Sequence, residues 1–306
     1  ITVDGRNHLL VAVCSCVCIT TPPVVKRKEA MVLVGTDFSG IDAPLQALAG
    51  VQVEYAFASE SQKHLRDRLQ AERVESDVAN WDISKLPSVD LYVCGPPCQD
   101  YSTKGSRLGR NAARGRLFDF PLAYVRQKRP RVVLFENVKG LMQNKDVFDY
   151  IVAHLRTSGY VVHTKLINSQ DFGMVQSRPR VYVVAIRDDL AHRPFQWPTS
   201  GNFRQTLEGI RAGSGKLVGG VEGRKSKLMP KVLAYLNEKA LQKGFEDGEL
   251  TVLDLGSSLS FASVPRRNGT PCLARKMSPS YAWVRLSKCG KPKTETLRPG
   301  DLVKVQ

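Results

Sequence analysis

The sequence predicts an α/β domain on a largely parallel sheet, followed by a smaller second domain. Two observations carry this. From residue 31 onward, short β-rich apolar runs alternate with longer amphipathic stretches, the pattern of a parallel sheet flanked by helices. After about Pro198 that rhythm stops, and Gly, Lys and Arg become frequent. Strands are expected at 31–36, 53–59, 91–94, 132–136, 161–167 and 181–186, with helices near 42–50, 61–72, 118–128 and 146–158. Residues 1–30 read as an N-terminal extension, 31–198 as the sheet domain and 199–286 as a smaller, irregular domain with one helix at 229–243. The stretch 294–306 reads as the start of another helix.

A chain of 306 residues with 42% hydrophobic side chains can bury a sizeable core. This composition excludes a disordered tail, a coiled coil and a disulfide-stapled miniprotein. The formal net charge is +16, which favours a polyanionic partner, nucleic acid first. The excess is uneven: residues 1–198 hold 26 basic and 20 acidic side chains, whereas 199–306 hold 19 and 9. The last third is therefore the expected polyanion surface, against the plainer reading of solubility charge.

The seven cysteines form no secreted disulfide framework, so a reducing, intracellular compartment is expected. Cys14, Cys16 and Cys18 lie in an apolar run at 9–19 that is too short to span a bilayer. Their spacing fits no common zinc motif, so neither a metal nor a membrane is expected as a partner.

The loops after the strands hold the candidate chemistry, because ligands of such sheets sit at the carboxyl ends of the strands. The first strand runs into Phe38, Ser39 and Gly40, where a glycine permits close backbone approach, or simply makes a tight turn. The second ends at Glu60, an acid suited to ribose hydroxyls or to a helix N-terminus. Asp77 and Val78 follow where a third strand should end. The fourth strand leads through Gly95, Pro96 and Pro97 to Cys98. Two prolines stiffen that corner and display the thiol, which is either a nucleophile or a structural cysteine. The next segment, 102–116, has Lys104, Arg107, Arg110, Arg114 and Arg116, three glycines and no acid, as in a loop that closes over a polyanion. The fifth strand ends in Glu136, either a proton donor raised by burial or a helix cap. Arg178 and Arg180, two apart on an extended run, share one face and suit a base edge or a phosphate, unless they line a solvated edge.

In order and spacing, DFSG, the acids Glu60 and Asp77, GPPCQ with Ser102, ENV and Q-x-R-x-R resemble the DNA (cytosine-5) methyltransferases, closely over about residues 31–190 and loosely beyond. The resemblance implies a Rossmann-like S-adenosylmethionine-dependent methyltransferase sheet with a target-recognition domain at 199–286. It also implies methyl transfer to carbon 5 of cytosine in double-stranded DNA by base flipping and a covalent Cys98 adduct. Glu136, Arg178 and Arg180 would complete the catalytic set. Phe38, Ser39, Gly40, Glu60, Asp77, Val78, Pro96 and Leu117 would contact S-adenosylmethionine, and Gln99 and Ser102 the target strand.

In this family the chain would turn back to the catalytic domain near 287–306. The family's last motif is absent, so a C-terminal truncation is expected. A monomer is expected, in the nucleus of a eukaryote or the cytoplasm and nucleoid of a prokaryote, with restriction-modification and genome maintenance both open. A transfer-RNA cytosine methyltransferase and an inactive DNA-binding fragment are the alternatives. The first is disfavoured because the Cys-Phe-Thr signature of that branch is lacking.

Overall fold

In a computed structural model of the chain, the described residues are 31–97, 118–201, 218–219, 229–254, 281–289 and 292–296. They divide between two units, one within Ile1–Ile167 and Pro179–Pro198, the other within Asn168–Arg178 and Thr199–Gln306.

The first unit is an α/β sheet. Its elements run β1 (Val32–Asp37), α1 (Ala43–Ala47), β2 (Val53–Ser59), α2 (Lys63–Arg66), β3 (Arg73–Glu75), β4 (Leu91–Cys94), α3 (Asp119–Lys128), β5 (Val132–Val138), α4 (Gly140–Gln143), α5 (Lys145–Thr157), β6 (Tyr160–Asn168) and β7 (Pro179–Arg187). The strand order is β3-β2-β1-β4-β5-β7-β6. Strands β1 to β5 pair in parallel, whereas β7 runs antiparallel to β5.

The strands read as nearly continuous apolar runs because both faces are covered. In β4, Tyr92 and Cys94 join one core cluster while Leu91 and Val93 join the other. In β5, Val133 and Phe135 take the first side, Val132 and Leu134 the second. Leu122, Tyr124 and Val125 of α3 and Ile151 and Leu155 of α5 complete the first cluster. It is strongly aromatic: Tyr92 and Tyr124 have ring centroids 4.6 Å apart, and Phe57 meets Tyr124 edge-on at 5.3 Å.

Two expected helices are shorter than the sequence pattern suggests. Expected over 42–50 and 61–72, they are α1 and α2 alone. Each closes in bonds three residues back, Ala49 N–H to Gln46 O and Arg68 N–H to Leu65 O, which tighten the last turn and stop the helix.

The second unit is more regular than its composition predicts. It contains β8 (Val218–Gly219), α6 (Met229–Gln242), β9 (Leu250–Asp254), β10 (Tyr281–Arg285) and β11 (Lys293–Thr296). The four strands form an antiparallel sheet in the order β8-β11-β10-β9. Leu233, Leu236 and Ala240 line one face of α6, at helical spacing, and cluster with Phe245, Val284 and Leu286. The buried Asn237 side chain donates to Ser287 O at 2.9 Å and accepts from Ser287 N–H at 3.0 Å. The helix expected from 294 is corrected over 294–296, which belong to strand β11, and 297–306 lie outside the described residues. Alternating Lys-Thr-Glu-Thr places β-branched residues at every second position, a strand preference that an edge partner can decide.

Gly35 gives a direct test of packing between β1 and β2. It pairs with Phe57, and a Cβ added there would lie 2.4 Å from the Phe57 ring. Gly35→Ala should therefore destabilise the chain by about 1–3 kcal/mol through forced displacement of a fully buried ring. Urea unfolding against wild type reads this out.

Candidate active site

The order β3-β2-β1-β4-β5 reverses between β1 and β4: β1 is followed by its neighbour on one side and β4 by its neighbour on the other, the switch point at which sheets of this kind hold ligands in a crevice at the carboxyl ends of the strands. The loop after β1 enters that crevice in strained backbone. Phe38 has φ 56° and Gly40 φ 59°. A bulky aromatic at positive φ is rare and persists only where its surroundings over-determine it. Here Ser39 is buried, its N–H bonded to Ser59 O at 2.9 Å and its Oγ to the same carbonyl at 3.1 Å. Gly40 N–H donates to Glu60 Oε2 at 2.9 Å. The other Glu60 oxygen accepts from Gln62 N–H at 2.8 Å. Loop and acid thus form one rigid corner, and Oε2 retains a second acceptor position for a hydroxyl.

Beneath this corner lies Asp37, one residue before Phe38 and almost fully buried. Its Oδ1 accepts from Ser59 Oγ at 2.6 Å and from Trp81 Nε1 at 3.1 Å, and its Oδ2 from the Tyr92 hydroxyl at 2.6 Å. Three elements therefore converge on one carboxylate: the end of β2, the loop after β3, and β4. Burial pushes the Asp37 carboxyl above its ordinary value, and the bonds from Ser59, Tyr92 and Trp81 oppose that shift. Asp77 is exposed and caps the short turn Val78–Asn80 by accepting from Ala79 N–H at 2.9 Å, while Val78 is buried.

On the other side of the crevice, β4 ends at Cys94, a buried thiol whose value burial raises well above normal. Gly95 and Pro96 follow. Asn137 Nδ2 donates to Pro96 O at 3.0 Å, a buried bond that ties the proline corner to β5. Glu136 stands beside the corner: its Oε2 is 3.6 Å from where a Cβ on Gly95 would sit. Because β7 is antiparallel to β5, its first residues meet the last residues of β5, with Val138 opposite Arg180 and Glu136 opposite Tyr182. Arg180 Nε thereby reaches Glu136 Oε1 at 3.0 Å, a charge-assisted bond between side chains 13% and 31% exposed.

Of the residues singled out in sequence, Phe38, Ser39, Gly40 and Glu60 are brought together, as are Pro96, Glu136 and Arg180. Arg178 falls in the second unit, where its N–H bonds to Asn168 Oδ1 at 2.8 Å. Cys98, Gln99, Ser102 and Leu117, with the basic segment 102–116, lie outside the described residues, as does the extension 1–30. Asp37, Tyr92, Trp81 and Asn137 were not assigned roles from sequence. The one available signal was polarity at the ends of otherwise apolar strands. Among the described residues no group of His, Cys, Asp and Glu could hold a metal ion, and no helix is long and apolar enough to cross a membrane.

The model of the C-5 cytosine-specific DNA methylase family matches residues 37–243. The chain is 30% identical over 166 residues to the type II methyltransferase M.HhaI of Haemophilus parahaemolyticus, covering 53% of this chain and 51% of that protein. It is 33% identical over 175 residues to M.NgoBI of Neisseria gonorrhoeae, covering 56% and 54%. It is 35% identical over 163 residues to the orphan methyltransferase M.Rho11sI of Bacillus phage rho11s, covering 50% and 32%. The chain thus spans about half the length, or less, of these curated relatives. Among solved structures, a candidate DNA modification methyltransferase encoded within an E. coli prophage is similar with a TM-score of 0.55 at 16% identity, over 90% of this chain and 88% of that one. The Entamoeba histolytica methyltransferase EhMeth gives 0.53 at 19%, over 67% of each chain. At such identities these two show likeness of fold alone.

Two measurements test the geometry. Asn137→Ala leaves the buried Pro96 carbonyl without its donor and should cost about 1–3 kcal/mol in urea unfolding. Asp37→Asn addresses the buried charge. A carboxyl raised in the folded state contributes stability while protonated and loses it as pH rises through the raised value. Wild type should therefore lose stability relative to Asp37→Asn as pH climbs from ~4, near the unfolded value, toward neutrality. Unfolding both proteins across that range checks the slope, and a difference independent of pH contradicts it.

Proposed function

The chain belongs to the C-5 cytosine-specific DNA methylases, and on that footing we propose that it transfers a methyl group from S-adenosylmethionine to carbon 5 of cytosine in double-stranded DNA. The observation that carries this reading is the Glu136–Arg180 pair beside the Asn137-anchored proline corner, at the carboxyl edge of the sheet and one residue short of Cys98.

S-adenosylmethionine is the family's methyl donor, and when bound it supplies an electrophilic methyl group on a sulfonium. The residues present fit it. A rigid backbone corner at Phe38, Ser39 and Gly40 stands against a Glu60 carboxylate with acceptor capacity left, which suits a ribose. Asp77 and Val78 would adjoin the adenine, and Pro96 and Leu117 the methionine end.

Cytosine carbon 5 is a poor nucleophile. The Cys98 thiolate would add to carbon 6, forming the sulfur–carbon bond and moving the ring's electron pair toward carbon 5, which would then take the methyl group as its bond to the sulfonium sulfur breaks and a neutral thioether leaves. Loss of the carbon-5 proton and departure of Cys98 restore the aromatic ring and the thiolate. Glu136 would bond ring nitrogen 3 and the exocyclic amine, offsetting charge that develops during attack. Arg180, already oriented by Glu136, would hold the carbonyl oxygen. Arg178, Gln99 and Ser102 would grip the target strand's backbone.

The target base must leave the helix stack for this, at a cost of about a few kcal/mol that pocket contacts offset. Catalysis would reside in 31–198, and residues 199–286, in the more basic third, would read the neighbouring bases.

Duplex DNA carrying 5-fluorocytosine tests this directly, because fluorine does not leave as a proton does. With S-adenosylmethionine the wild-type chain should form a covalent complex that Cys98→Ser does not. Glu136→Gln should lower turnover about 10²–10³-fold, the usual loss for one electrostatic contact in the transition state. With tritiated S-adenosylmethionine and duplex DNA or transfer RNA offered in turn, label appearing only in the RNA, or no adduct and no methylation, would overturn the proposal.

A further inference from the structure

The turn assigned above to the methyl donor passes through a third left-handed residue, Asp42, with φ 62° and ψ 38°. Side chains rarely adopt this conformation, although Asp tolerates it better than most. Asp42 N–H closes the turn by bonding to Ser39 O at 2.9 Å. Its carboxylate ends a line of buried hydroxyls. Ser39 Oγ lies 2.6 Å from Thr36 Oγ1, which lies 2.6 Å from the Tyr55 hydroxyl, and Tyr55 donates to Asp42 Oδ1 at 3.0 Å. All four residues are buried. Each hydroxyl has one proton to give: Tyr55 gives its proton to the Asp42 carboxylate and Ser39 gives its own to the Ser59 carbonyl, so Thr36 Oγ1 lies between them with one proton for two neighbours. The far end of the donor turn is thereby tied to β2 through Tyr55, as its near end is tied to β2 through Ser59.

We propose that Asp42, held by Tyr55, is a positioning residue for the methyl donor: its carboxylate keeps the 38–42 turn in its left-handed shape. The inference rests on the reading that this turn contacts S-adenosylmethionine. Burial raises both Asp42 and Tyr55 above their ordinary values, as expected of a side-chain contact kept from water.

The decisive comparison is between two variants at one position. Asp42→Ala loses the carboxylate and keeps the strain, whereas Asp42→Gly loses the carboxylate and removes the strain, because glycine adopts this φ freely. Titration calorimetry of the full chain with S-adenosylmethionine should show Asp42→Ala and Tyr55→Phe binding at least about tenfold more weakly than wild type, the cost of a turn no longer preorganised. Asp42→Gly should stay within about threefold, since its turn is retained. Thermal melts should show Asp42→Ala and Asp42→Gly both lowered, so that stability and affinity separate. Equal weakening in Asp42→Ala and Asp42→Gly, or wild-type affinity in a folded Asp42→Ala, would overturn the inference while leaving the donor site standing. A wild-type chain that binds no S-adenosylmethionine would instead remove the donor site and the inference with it.

Discussion

A chain leaves every strand of a parallel array at the same edge, and this constraint assembles the site. Strands β1, β2, β4 and β5 deliver Phe38, Glu60, Pro96 and Glu136 to one carboxyl edge although these residues span about a hundred positions in sequence. The reversal of order falls between β1 and β4, the switch point at which such sheets bind ligands. Strand β7 enters the same edge from the opposite direction, and its antiparallel register brings a residue from the strand's beginning, Arg180, to the candidate site. A parallel β7 would carry that arginine to the far edge of the sheet. The ion pair with Glu136 is therefore a consequence of topology before it is one of local chemistry.

The same edge concentrates charge next to two apolar clusters, and each acid there is satisfied differently. Asp37 takes three neutral donors, Glu60 takes backbone N–H groups, Asp42 takes a tyrosine, and Glu136 takes a guanidinium. Leaving a buried charge unpaired costs several kcal/mol, far more than one hydrogen bond contributes. These pairings consequently restrict where each loop can lie. Neutral donors from different elements suit rigid scaffolding, because none brings a counter-charge that a ligand must displace. An ion pair at an only partly buried position suits a group that meets a substrate, since its polarity is held in place before any ligand arrives.

Much of this edge was legible in the sequence, and the reasons differ by element. Strands β1, β4 and β5 stood out because both their faces are buried, leaving apolar runs with abrupt polar ends. Helices α1 and α2 were overestimated because amphipathic spacing continues past the point where bonds to the third residue back end the helix. The four-stranded sheet of the second unit escaped notice because its strands are two to five residues long and drawn from distant segments, so no local period betrays them. Glu136 and Arg180 could be named from motif and position. Their mutual contact could not, since the direction of β7 has no local signature. Asp37, Asn137 and Tyr92 carry tertiary bonds that only the fold brings together, and an acid in a strand end reads the same whether it faces solvent or three buried donors.

Charge placement bears on the proposed DNA substrate as well. Lone carboxylates at the mouth of a site would repel a phosphate backbone, and the chain has 29 acids in all. Among the described residues at the crevice, Asp37, Glu60 and Asp42 are buried and Glu136 is paired, so little of their charge projects toward a polyanion, whereas Asp77 is exposed, beside the segment assigned to the adenine rather than to DNA. Ten of the sixteen net positive charges fall in residues 199–306, and the acid-free basic segment 102–116 follows Cys98 in sequence. On the proposed reading, electrostatic attraction would act on the DNA backbone through the basic stretches, while the edge of the sheet would present hydrogen-bonding groups of fixed direction to a base. Affinity for any duplex and discrimination of one atom on one base would then come from different residues, and salt should screen the first without altering the second.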